Sequence, residues 1–162
     1  MVNENVELAF SDKYDKAHSE AYYRKHKQGF WRNRSNNREI EIARRAIIAA
    51  GKPDSILDLP CGAGRFWSEL EQSGAAELIA ADNSESMLEV AKSSQPEELV
   101  SKFKILQTSA FDIKLPDKSV DCIFSMRLIH HIGEPSDRAR LLKEYHRVTR
   151  ETVCLSLWVD GN

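Results

Sequence analysis

The segment Ser55-Ile-Leu-Asp-Leu-Pro-Cys-Gly-Ala-Gly-Arg65 sets an acid, Asp58, inside an apolar run that stops at Pro60. Gly62 and Gly64 follow, and then a stretch with helical spacing, Phe66 through Leu70. This reads as a buried strand, a tight turn with its backbone exposed, and a helix start at residue 64. Glycines at such a turn allow positive φ and close approach of a ligand to the main chain. Free N–H groups in the helix's first turn favour a negatively charged group there. A small anionic or zwitterionic ligand is therefore expected at the end of the first strand. Asp82 ends a second apolar run, where a carboxylate can accept both hydroxyl protons of a ribose. His130 and His131 follow another run, at the carboxyl edge where parallel-sheet sites form. An ordinary histidine titrates near neutrality, so one of them is a candidate general base. The alternative is that the pair braces the loop.

A dinucleotide-binding turn needs a third glycine where helix and strand pack closely, and that position holds Trp67. Asp58-Leu-Pro-Cys-Gly-Ala-Gly64 instead resembles the first motif of class I S-adenosylmethionine-dependent methyltransferases. Three further segments resemble the same family in order and spacing. They are Leu78-Ile-Ala-Ala-Asp82 with Ser84-x-x-Met87-Leu-x-x-Ala91, Ala110-Phe-Asp112 with Leu115-Pro-Asp117, and Val120-Asp-Cys-Ile-Phe-Ser125 with Leu128-Ile-His-His-Ile132. The resemblance spans roughly residues 38 to 158. Pro60 departs from it, standing where many members carry glycine; it offers only a carbonyl.

The resemblance implies S-adenosylmethionine as cofactor, with Asp58, Pro60, Gly62, Gly64, Asp82, Asn83, Met87, Phe111, Asp112 and Met126 around it. Asp82 would take the ribose. Asp112 would accept from the adenine amino group, with the Phe111 backbone at the ring edge and Met87 as an apolar wall. Asp58 would help to hold the loop and the cofactor's ammonium group. Tyr14, Tyr22 and Arg38 are lid candidates over the methionine carboxylate. Arg127 faces the substrate or pairs with Glu134. Methyl transfer from a sulfonium requires alignment and exclusion of water more than a nucleophile. The expected function is therefore transfer of a methyl group to an unidentified, small-molecule acceptor. Competing readings are a non-catalytic or partner-dependent S-adenosylmethionine-binding module and a nucleotide-cofactor oxidoreductase domain, the latter opposed by Trp67.

Elements must position these residues. The 162 residues suit one domain, with 1–36 as a helical lid and 37–162 as the cofactor-binding core. Alternating apolar runs and helical segments imply an α/β, Rossmann-like doubly wound parallel sheet. Right-handed crossovers and the resemblance give strand order 3-2-1-4-5, lacking the usual C-terminal antiparallel hairpin. Strands are expected near 55–60, 77–82, 103–109, 120–126 and 152–159. Helices are expected at 38–50, capped by Asn36 or Asn37, and near 64–73, 84–94 and 135–148, with a weaker turn at 96–101. One or two short polar helices, joined near Gly29, are expected over 11–34. The 152–159 strand is apolar on nearly both faces, so another molecule or the N-terminal arm is expected to cover it, and a homodimer through that edge, or poor solubility, is expected over a well-behaved monomer.

Residues 13–45 hold ten Lys or Arg against four acids, leaving that segment at +6 and the remainder at −8. With its interleaved aromatics this arm could grip RNA or another anionic substrate. A solvated helical cap over the cleft is the favoured reading. No run of 18 apolar residues and no signal-peptide core are present. Cys61, Cys122 and Cys154 each lie in or beside an apolar strand, so buried reduced thiols in a cytoplasmic protein are expected, with no metal site.

Overall fold

The computed structural model describes residues 30–157, with side chains from 37 onward. Tyr14, Tyr22, the junction near Gly29 and the expected strand residues 158–159 lie outside the described residues. Within them the elements run α1 (Phe30–Ala49), β1 (Ser55–Asp58), α2 (Trp67–Glu71), β2 (Glu77–Asp82), α3 (Glu85–Ser94) and α4 (Glu97–Val100). There follow β3 (Phe103–Gln107), β4 (Val120–Ser125), a 3-10 turn at Ile129–His131, α5 (Pro135–Val148) and β5 (Thr149–Leu155). The five strands form one sheet in the order β3-β2-β1-β4-β5, every pairing parallel. That is the expected topology. No antiparallel hairpin accompanies β5 among the described residues.

Period-2 side-chain alternation distributes the apolar strand residues to two faces, and helices cover both. Ile56, Leu78, Cys122 and Phe124 pack beneath Ala43 and Ile47 of α1, Trp67 and Leu70 of α2, and Leu88 and Ala91 of α3. On the opposite face Leu57, Ile79 and Ile123 pack against Leu141, Tyr145 and Val148 of α5. β1 is buried along its whole length because it is the central strand. The three cysteines are buried and free, as expected.

Three expectations need correction. α1 runs without interruption from Phe30, through the asparagines expected to cap it. An asparagine inside a helix costs only about 0.7 kcal/mol relative to alanine, less than the docking of Ala43 and Ile47 recovers. The helix expected at 64–73 begins only at Trp67 and lasts five residues, because Cys61 through Phe66 turn instead. In that turn Gly64 N donates to Cys61 O at 3.0 Å and Trp67 N to Gly64 O at 3.3 Å. β5 begins at Thr149, three residues early, because α5 passes directly into it after Val148.

Candidate active site

The turn after β1 is tied to both neighbouring strands. Leu59 N donates to Phe124 O at 3.0 Å on the β4 side, and Cys61 N to Ala81 O at 2.8 Å on the β2 side. Gly62 and Gly64 have φ of 54° and 72°, a region that L side chains avoid. A Cβ on Gly62 would lie 3.5 Å from Met87 Cε, and one on Gly64 only 2.8 Å from the Trp67 ring. The glycines therefore let a methionine and an indole close over the backbone. Neither glycine N–H is free: Gly62 N serves Asp82, and Gly64 N serves Cys61 O. Trp67 is fully buried and stacks on Phe103 at 4.6 Å between centroids. It fills the space that a third glycine would leave for close helix packing, which removes the structural basis for a dinucleotide reading.

Asp82 is the hub of this turn. Its Oδ2 accepts from Gly62 N at 3.0 Å and its Oδ1 from Ser84 N at 2.9 Å. Burial raises its pKa, and the N–H donors of Ser84, Gly62 and Asn83 pull the other way. Each carboxylate oxygen retains a second lone pair, so Asp82 can still accept from two hydroxyls. Ser84 caps α3, its hydroxyl accepting from Met87 N at 3.3 Å, which frees Asp82 from that duty. Met87 packs with Ala63 and Val90 in a small apolar cluster beside the turn.

Asp58 is 1% exposed, and its Oδ2 has no hydrogen-bond partner among the described residues. Burial, and then the charge of Asp82, hold its pKa well above the carboxylate range; the nearby Trp67 indole opposes this. The indole lies outside hydrogen-bond geometry, since Trp67 Nε1 is also unsatisfied. A buried acceptor without a donor is costly unless a ligand supplies one, and an ammonium group fits it.

On the β4 side the buried Ser125 hydroxyl meets Tyr145 Oη at 2.8 Å, and Tyr145 Oη donates to Leu59 O at 3.3 Å. The phenol thus links α5 to the end of β1 and the end of β4. Met126 is buried. Arg127 adopts φ of 61°, with its N–H donating to Ser156 Oγ at 2.6 Å. Among the described residues it pairs with Glu39 of α1 at 3.7 Å rather than with Glu134, and Glu39 also meets Arg65 at 2.8 Å. Arg38 itself is exposed, so Glu39 is the residue through which α1 reaches the ends of β1 and β4.

His130 is half-buried and His131 exposed, with rings 4.1 Å apart. Desolvation lowers both pKa values; the charges of His131 and Arg127 lower His130 further, and Arg127 lowers His131. Both shifts favour the neutral imidazole, the form able to accept a proton.

The loop after β3 places Phe111 half-buried and Asp112 exposed. The Asp112 carboxylate is engaged by Lys114. Thr108 organises the loop, its hydroxyl donating to Asp112 O at 2.9 Å and accepting from Lys114 N at 3.0 Å. Tyr145, Ser125, Thr108 and Glu39 escaped the sequence reading. Their types are common, and the partners of Tyr145, Ser125 and Glu39 lie 20 or more residues along the chain; Thr108 has local partners, and the Thr108-Ser109 pair, a turn-forming dipeptide, carried a local signal. Among the described residues no group of His, Cys, Asp and Glu is arranged to hold a metal, and no helix is long and apolar enough to cross a membrane.

Residues 57–155 match the family model described as a methyltransferase domain. A probable S-adenosylmethionine-dependent methyltransferase of Mycobacterium tuberculosis is 30% identical over 95 residues, covering 59% of this chain and 31% of that protein. The demethylmenaquinone methyltransferase of Lactococcus lactis is 32% identical over 106 residues, 62% of this chain and 41% of its own. The chain thus spans under half the length of these curated relatives. A putative S-adenosyl-L-methionine-dependent methyltransferase from Methanococcus maripaludis shares the fold with a TM-score of 0.71. It is 20% identical, and the match covers 88% of this chain and 64% of that one.

Proposed function

The chain belongs to the methyltransferase domain family, and on that footing we propose that it binds S-adenosylmethionine and transfers its methyl group to a small-molecule acceptor. One observation carries the reading: the buried Asp82 carboxylate, braced by Gly62 and Ser84, stands beside a turn whose Asp58 Oδ2 lacks a donor. In this reading Asp82 accepts from the ribose hydroxyls and Asp58 receives the ammonium. Gly62, Gly64 and the carbonyl of Pro60 shape the floor, and Asn83 flanks the ribose. Met87 walls the adenine, with Phe111, Asp112 and Met126 completing its pocket. Asp112 would exchange Lys114 for the adenine amino group.

The bound cofactor supplies a methyl group activated by its sulfonium. The protein's part is to hold donor and acceptor in line and to keep water out. His130 or His131, whose surroundings favour the neutral imidazole, would take the proton that a hydroxyl or amine acceptor releases on a ring nitrogen. The names of the Lactococcus relative and of the Arabidopsis thaliana phosphoethanolamine N-methyltransferase 1 both denote small-molecule methylation, which supports that acceptor class.

Calorimetry with S-adenosylmethionine, S-adenosylhomocysteine and NAD is the direct test. The first two should bind and NAD should not. Asp82→Ala should weaken binding by about 1–3 kcal/mol, leaving ribose hydroxyls without acceptors. No binding of either adenosyl compound at about millimolar concentration, where even a ligand held by only ~4 kcal/mol would register, would overturn the proposal.

A further inference from the structure

The 108–117 loop is gripped from α5 by an ion pair that the reading above does not use. Glu144 Oε1 accepts from Ile113 N at 2.7 Å. Arg147 Nη2 donates to Ile113 O at 2.9 Å, and its Nη1 donates to Leu115 O at 2.9 Å and to Asp117 Oδ1 at 2.8 Å. The two side chains close on each other, Nη2 to Oε1 at 2.6 Å and Nε to Oε2 at 3.0 Å. Both backbone groups of Ile113 therefore end on one carboxylate–guanidinium pair, and Ile113 itself is 2% exposed.

Ile113 directly follows Phe111 and Asp112. Upstream, the loop is pinned by Thr108, and Ser109 Oγ accepts from Phe111 N at 3.2 Å. Ser109 and Asp112 form one isolated antiparallel bridge. The short span from 109 to 112 is thus stretched between two anchors, Thr108 on the β3 side and Glu144–Arg147 on the α5 side. A rigid guanidinium fork fixes two carbonyls at once, which a single point charge does not. The side chain of Phe111 is reached from the same helix, with Arg140 5.8 Å above its ring.

We propose that Glu144 and Arg147 are positioning residues for the adenine end of the cofactor. They fix Ile113 and, through it, the position of Phe111 and Asp112, so their loss loosens cofactor binding and spares the transfer step. This inference rests on the assignment of the 108–117 loop to adenine. A group that contributes equally to ground state and transition state moves KM and leaves kcat unchanged.

The test compares wild type, Arg147→Lys and Glu144→Gln by calorimetry with S-adenosylhomocysteine and with S-inosylhomocysteine, in which a carbonyl replaces the adenine amino group. Lys keeps the charge but lacks the fork; Gln keeps an acceptor for Ile113 N but loses the ionic partner. Wild type should prefer the adenosyl compound. Arg147→Lys should lose roughly tenfold in affinity for it, the worth of about one hydrogen bond, and the preference over the inosyl compound should narrow. If wild type binds both compounds alike, the adenine assignment fails and takes the inference with it. If wild type discriminates but Arg147→Lys keeps both affinity and preference, the adenine assignment stands and the positioning role is refuted. Should Arg147→Lys not fold, Glu144→Gln decides on the same readout, and unchanged affinity refutes the role. With an acceptor in hand, KM for S-adenosylmethionine should rise in the variants at constant kcat; a fall in kcat alone would also refute it.

Discussion

Replacing Gly64 with alanine isolates the packing that most distinguishes this turn. The backbone at 64 has φ of 72°, where an L side chain costs about 1–2 kcal/mol. The new Cβ would stand 2.8 Å from Trp67 Cδ2 and 3.0 Å from Cε2 and Cε3. The indole cannot swing away, because it is fully buried and stacked on Phe103. Overpacking of that kind costs about 1–3 kcal/mol more. The expected total is about 2–5 kcal/mol, a large part of a stability that is commonly 5–15 kcal/mol. Gly74→Ala supplies the control: φ is 81°, and nothing lies within 4 Å of the new Cβ. It should therefore show the backbone cost alone. Urea denaturation of both variants, with m-values compared to confirm a two-state transition, gives the difference. Trp67→Leu in the Gly64→Ala background should recover part of the loss, a non-additivity that marks direct contact. Equal destabilisation by Gly64→Ala and Gly74→Ala would show that the indole does not close on the turn.

Three further outcomes are expected. Tyr145→Phe, which strips the hydroxyl shared by Ser125 and Leu59 O, should lower stability by about 1–2 kcal/mol in denaturation; a change within error would mean that the link is idle. Asp58 has a folded-state pKa raised by burial, so it adds most stability below the ordinary carboxylate pKa near 4 and opposes folding as pH rises through the folded value. Thermal melts of Asp58→Asn should accordingly gain on the parent from pH 4 upward, even as the variant binds S-adenosylhomocysteine more weakly; a pH-independent difference would contradict this. The β5 edge, with Val153 and Leu155 half-buried and Leu157 exposed, should promote self-association; sedimentation showing one monomeric species across the micromolar range would count against it.

Much of the architecture was legible because the strands are nearly continuous apolar runs. Ile56-Leu57, Leu78 to Ala81 and Cys122 to Phe124 admit few places other than a parallel sheet covered on both faces. Ser84 stands directly before a helically spaced run, and its hydroxyl caps that helix by accepting from Met87 N, as serine at a helix start commonly does. Boundaries were less legible where packing overrode local preference. The asparagines at 36 and 37 are good caps in isolation, yet α1 continues through them. The helix after Gly64 is delayed because a fully buried indole, not a cap, sets its first residue. The Gly62–Asp82 bond was illegible for a different reason: Asp82 lies 20 residues beyond Gly62, and only the folded sheet brings its carboxylate to that N–H. Tyr145 and the Glu144–Arg147 pair act across still longer separations, 86 residues in the case of Tyr145 and Leu59 O.

The strand order also dictates a sequence of events in time. β1 has β2 as one neighbour, close along the chain, but its other neighbour β4 begins only at Val120, and the contact of Ser55 with Asp121 spans 66 residues. During synthesis β1, β2 and β3 can pair, and Trp67 can meet Phe103, before β4 has left the ribosome. Through that interval the apolar edge of β1 waits, and Leu59 N has no Phe124 O to receive it. An open edge of that kind is a template for mispairing. The cradle that β2 half-builds through Asp82 is thus completed only by the last third of the chain, so slow synthesis across residues 108–120 would lengthen the period in which the nascent protein is most prone to aggregate.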